Sequence, residues 1–119
     1  MKLRFSVWVW ALFACALSVL VLALVPAPPP ELTTGWDKSN HWLAFSVLTW
    51  LACNAFPKRL AVTLLCLLAY GALIEILQSF TPTRSAEWLD LFADGVGILT
   101  GWALVRLHEW IARLYSSSR

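Results

Sequence analysis

The chain has 119 residues, 60% of them hydrophobic and 13% charged, with a mean hydropathy of +0.70. A soluble domain of this length is usually about half apolar and a quarter charged, so the composition points to a lipid environment. The net charge of +2 and the lack of any Lys/Arg-rich block or RNA-reading motif exclude nucleic acid as a partner, and the length leaves room for one domain, 1–119.

The first apolar segment, Phe5 to Val25, is uncharged and predicts a membrane-spanning helix over about 5–25, since about 20 residues at 1.5 Å each cross a hydrocarbon core. Lys2 and Arg4 precede it as they would in a signal peptide. The run nevertheless exceeds the roughly 7–15 residues of an ordinary signal core, and the small-residue site "VPA" is followed by Pro28, a poor place for cleavage. A retained anchor is expected. "PAPPPELTTG" (26–35) reads as a stiff, extended connector, because proline cannot continue a helix.

The second apolar run, His41 to Phe56, is long enough to span only if its helix starts near Asp37, predicting a helix over 37–56 with Asp37 and Lys38 in its first turn. "PKR" (57–59) is a tight turn into a third helix, 60–80, which carries Glu75 and Gln78 inside the otherwise apolar "GALIEILQSF". "TPTRSAEW" (81–88) leads to a fourth helix over about 86–107, with Pro82 ending one helix and Ser85 a candidate N-cap of the next. The tail "LYSSSR" is expected to fray. Cys15, Cys53 and Cys66 all lie in apolar runs without a CxxC, which predicts buried packing rather than a disulfide framework or zinc site. The expected architecture is all-α: a polytopic membrane protein of four transmembrane helices in a small bundle.

Basic residues set the expected orientation. Lys2, Arg4, Lys58, Arg59, Arg106, Arg113 and Arg119 fall on one side, and Lys38 and Arg84 on the other. The positive-inside rule then puts both termini in the cytoplasm. In this topology Glu75 sits about 8 Å below the outer end of the third helix, with Gln78 one turn nearer the surface. Asp90 and Asp94 share a face of the fourth helix at i, i+4, as Asp37 and His41 do on the second. All lie at similar depth. A charge facing lipid costs about 2.5–3.5 kcal/mol on insertion scales, so these side chains are expected to face one another in a shared outward-facing polar cluster. Arg84 would fold over the cluster, and Gly97 and Gly101 would let a neighbouring helix approach closely beneath it.

These residues resemble the VanZ-like family of small bacterial membrane proteins. The resemblance rests on "DKSNHWLAFSVL" (37–48), "YGALIEILQSFTPTR" (70–84) and "DLFADGVGILTG" (90–101), in that order and spacing. It implies a multi-pass protein of the bacterial inner membrane, a link to susceptibility to glycopeptides, specifically teicoplanin, and a matched set of positions: Asp37, Lys38, His41, Glu75, Gln78, Arg84, Asp90 and Asp94. Asp94 stands where many members are expected to carry Asn.

Three functions compete. The leading one is a module binding an envelope-related or amphiphilic ligand at the membrane–water boundary, in contact with membrane lipid. The second is an accessory subunit docking on a larger membrane enzyme or transporter, with oligomers an open option. The third is an enzyme acting on a lipid-linked substrate, against which stands the lack of a Gly-rich phosphate loop, nucleophile elbow or HExxH. No catalytic residue is assigned. No cofactor is required, although Glu75, Asp90, Asp94 and His41 together offer donors for a divalent cation.

Overall fold

The computed structural model describes residues 2–25, 37–81 and 88–117, with side chains described from Val7 in the first segment and from Ser39 in the second. The described residues form four helices and no strand: α1 Lys2–Leu24, α2 Asp37–Ala55, α3 Leu60–Gln78 and α4 Trp88–Ser117. The two described turns follow from local chemistry. Pro57 cannot continue the hydrogen-bond ladder of α2, whose last turn is closed by Phe56 N–H donating to Ala52 O at 2.8 Å. Arg59 N–H returns to Phe56 O at 3.2 Å, and Thr63 N–H reaches Arg59 O at 2.9 Å to start α3. At the far end of α3 the ladder tightens, with Phe80 N–H bonding Leu77 O and Thr81 N–H bonding Gln78 O, both at 3.1 Å.

α4 continues past 107 to Ser117, through residues expected to leave the span and then fray. No proline or glycine follows Gly101, and Arg106 pairs with Glu109 one turn on at 3.5 Å. The backbone therefore stays helical although the apolar composition has ended. At 1.5 Å per residue α4 is about 45 Å long, against about 30 Å of hydrocarbon.

α2 packs against all three other helices. The α2–α4 seam is the most extensive. A Cβ added at Gly97 would lie 2.5 Å from the Trp42 carbonyl oxygen, and one at Gly101 2.6 Å from that of Ser46, so only glycine allows the two backbones to come this close. Trp42 Nε1–H donates to Thr100 Oγ1 at 3.0 Å across the same seam. Further along, the Trp50 ring meets His108 edge-on with centroids 5.6 Å apart. Phe45, Leu48, Ala52, Leu67, Ile74 and Ile98 form the apolar core. Ser46 and Thr49 are buried on α2 with their hydroxyls returned to the carbonyls four residues back, at 2.8 and 2.7 Å, which meets their bonding needs locally.

The molecule is apolar outside and partly polar within. Trp10 is 75% exposed, and Phe13, Leu17, Leu65, Ile76, Phe92 and Leu99 also face outward, while His41, Glu75, Gln78, Asp90 and Asp94 are buried. An aqueous domain does not present such a surface. α1, α3 and α4 are each long and apolar enough to cross a membrane. α2 is the less apolar helix at its start, where it carries Asp37, Lys38, Asn40 and His41, and it packs against the other three helices. The cysteines are all free, but they are not uniformly buried: Cys53 is inside, Cys15 is half-buried, and Cys66 is exposed on α3. The expectation of buried packing fails at Cys66 because a helix that can face lipid carries apolar residues on both sides.

Candidate functional site: a buried polar cluster

At the end of the bundle where α1 and α3 finish and α2 and α4 begin, three helices contribute ionisable side chains to one place. His41 stands one turn into α2. Its Nδ1 is 2.7 Å from Asp94 Oδ1, and its Nε2 is 3.9 Å from Asp90 Oδ2. The first distance is a short, charge-assisted hydrogen bond, and the second is too long to be one. Asp90 and Asp94 present both carboxylates from one face of α4, as their i, i+4 spacing requires. Asp90 also lies in the first turn of that helix, where the helix dipole favours negative charge. Glu75 enters from α3, with one oxygen, the His41 ring nitrogen and an Asp90 oxygen all within 4.8 Å of one another. Exposure falls from 8% at His41 and 7% at Glu75 to 2% at Asp90 and none at Asp94. The site thus holds up to three negative charges and an imidazole away from bulk water.

Gln78 lies one turn beyond Glu75, 2% exposed, and serves a different contact. Its Nε2 donates at 2.9 Å to Ala23 O, one of the last-turn carbonyls of α1 that has no partner within the helix. Its Oε1 is buried and accepts no hydrogen bond. Gly97 and Gly101 lie beneath the cluster in the α2–α4 seam. Asp37 and Lys38 open α2, but their side chains lie outside the described residues, as Arg84 does entirely.

Two supporting residues escaped the sequence reading. Gly71 stands one turn before Glu75 on the same face of α3, and a Cβ there would lie 2.7 Å from Asp94 Oδ2; its bare backbone makes the seat for that carboxylate. The i, i+4 spacing of Gly71 and Glu75 was the available signal. Tyr70 donates its hydroxyl to Ala16 O and fastens α3 to the middle of α1; nothing in the sequence marks that contact.

An apolar helical exterior enclosing a His–Asp–Asp–Glu cluster at one end of the bundle defines the class: a small membrane-type helical protein with a polar site inside. Within that class the chain belongs to the VanZ/LLP1 family, whose sequence model matches residues 30–111, more than half of the chain. The match takes in α2, α3 and the whole cluster, and begins after α1. No curated protein and no solved structure matches the chain.

Proposed function

We propose that the protein is a multi-pass protein of the bacterial inner membrane. All four helices cross, both termini are cytoplasmic, and the polar cluster faces the outer surface, where it binds the headgroup of an amphiphilic envelope molecule. The observation that carries this reading is the convergence of His41, Glu75, Asp90 and Asp94 from three helices within an otherwise apolar bundle. Helix packing alone is served as well or better by apolar side chains of similar volume, because desolvating charges offsets much of their mutual attraction. Ionisable groups at membrane depth mark sites by default. A ligand with a polar head and an acyl tail suits the arrangement: the head enters the cluster while the tail stays in lipid beside the apolar exterior. A lipid-tailed glycopeptide such as teicoplanin has that form, so altered teicoplanin susceptibility is the phenotype to look for.

The test is binding by the full-length protein in nanodiscs of teicoplanin and of a polyprenyl diphosphate, each compared with Glu75→Gln protein. Saturable binding of either, weakened at least tenfold by Glu75→Gln, is the expected result. Equal binding by both proteins would remove the cluster from recognition, and turnover of the polyprenyl diphosphate would favour the enzymatic reading. A second reading, an accessory subunit, is favoured by the exposed apolar stripe of α4, on which Phe92, Val96, Leu99 and Leu107 face outward. Co-purification of one stoichiometric membrane protein, abolished by polar substitutions on that stripe, would support it.

A further inference from the structure

We propose that the cluster is a divalent-cation site. His41 Nε2, one Glu75 oxygen and one Asp90 oxygen are its ligands, and Asp94 orients the imidazole. This deepens, and rests on, the reading of the cluster as a binding site.

The two ring nitrogens of His41 stand at different distances from the two aspartates. Here Nδ1 bonds Asp94 at 2.7 Å while Nε2 stands 3.9 Å from Asp90 Oδ2. A cation bonded at about 2.0–2.2 Å holds its donor atoms about 3–4 Å apart. The Nε2–Asp90 separation therefore fits two ligands of one ion better than a hydrogen-bonded pair. A Glu75 oxygen lies within 4.8 Å of a His41 ring nitrogen and of an Asp90 oxygen, so small side-chain movements complete the set.

The contact to Asp94 is the second element. Metal-ligating histidines usually donate their other ring N–H to a carboxylate, which fixes the tautomer and turns the remaining lone pair toward the metal. Asp94 meets that requirement from a fully buried position seated against Gly71. A third element is Gln78. With Nε2 committed to Ala23 O, its Oε1 is left buried without a hydrogen-bond partner on the face of α3 that carries Glu75. An amide oxygen is a neutral donor for a hard cation. One imidazole nitrogen with carboxylate oxygens suits zinc, manganese or cobalt. Glu75 and Asp90 balance the charge of a dication, which lowers the cost of burying them.

The experiment uses untagged full-length protein in nanodiscs, stripped with chelator and titrated with Co²⁺ by visible absorption and with Zn²⁺ by calorimetry. One equivalent per chain is expected. Glu75→Gln and Asp90→Asn should each weaken binding at least tenfold. Asp94→Asn, which keeps all three ligands, should weaken it about 10–100-fold without changing the stoichiometry. Glu109→Gln, at the opposite end of α4, should leave affinity unchanged. The chain has two histidines, so in His108→Gln protein any imidazole-nitrogen coupling to bound Mn²⁺, seen by pulsed electron paramagnetic resonance, reports His41 with the site itself intact. That readout decides the matter even where a cluster variant fails to fold. No one-equivalent binding, binding indifferent to Glu75→Gln and Asp90→Asn, or bound Mn²⁺ without imidazole coupling would overturn the proposal. Repeating the teicoplanin and polyprenyl diphosphate measurements in chelator separates the two readings. Glu75-dependent amphiphile binding without metal leaves the headgroup site and removes the cation. Metal binding without amphiphile binding does the reverse.

Discussion

The α2–α4 seam and the attachment of α1 are two solutions to the same problem of holding helices together in an apolar setting. In the seam, specific atoms meet: Gly97 and Gly101 lie against α2 carbonyls, Trp42 bonds Thr100, and His41 bonds Asp94. At α1, none of the described residues is fully buried. Helix α3 fastens it by two side chains that reach backbone carbonyls, Tyr70 to Ala16 and Gln78 to Ala23. The seam is held by shape and α1 by general apolar contact plus two tethers. Residue identity should therefore matter far more in the first than in the second.

The sharpest way to break this contrast is to crowd the seam. Gly97→Leu places a side chain where the Trp42 carbonyl already stands, and that backbone cannot give way as a flexible side chain would. Folded protein should be lost, as read by monodisperse yield on size exclusion. Gly97→Ala should cost about 1–3 kcal/mol in a detergent-denaturation or steric-trap measurement, the usual range for overpacking. Leu17→Ala on the exposed face of α1 should stay within about 0.5 kcal/mol. Equal losses at the two positions would mean the seam is no more specific than the α1 contact.

A smaller effect is expected at the tethers. Gln78→Leu removes the donor to Ala23 O from a buried position and should cost about 1–2 kcal/mol. This loss should exceed that of any single apolar truncation on the exposed side of α1 in the same assay. Tyr70→Phe should behave alike.

The smallest effect sharpens the comparison within one helix. Gly95 lies two residues from Gly97 on α4, yet a Cβ there would meet nothing within 4 Å. Gly95→Ala should be neutral or stabilise by up to about 1 kcal/mol through backbone entropy alone. A clear loss would show that the seam is wider than the glycine contacts indicate.

How far these features could be read in the sequence depends on the kind of constraint. The helices were legible because apolar runs of fixed length have few other uses, and α2 could be started at Asp37 because a shorter helix would not span. The end of α4 was not, since Arg106, Glu109 and Arg113 mark where apolar composition stops, while helix continuation needs only the absence of a breaker. The shared depth of His41, Glu75, Asp90 and Asp94 followed from helix rise and alternating direction. Which nitrogen of His41 meets which aspartate did not, because that depends on the rotation of α2 against α4 and on side-chain rotamers. Gly71 was missed for a related reason: its i, i+4 spacing to Glu75 marks the face it lies on, but not that Asp94 sits against it. The position of Cys66 was misread because hydrophobicity separates inside from outside in water but loses that power where both surroundings are apolar.

The two tethers have a consequence for how much of the protein can be exchanged. Both end on main-chain oxygens, which every residue carries, so these two contacts recognise the helical form of α1, while Leu12, Cys15, Ala16, Val19, Leu20 and Ala23 add apolar packing against the core. Another apolar helix of the same length would present the same two acceptors at the same heights. The first helix is in this sense a replaceable part. A chimera carrying an unrelated membrane anchor in its place should keep the cluster intact, whereas exchanging α2 or α4 alone would destroy it.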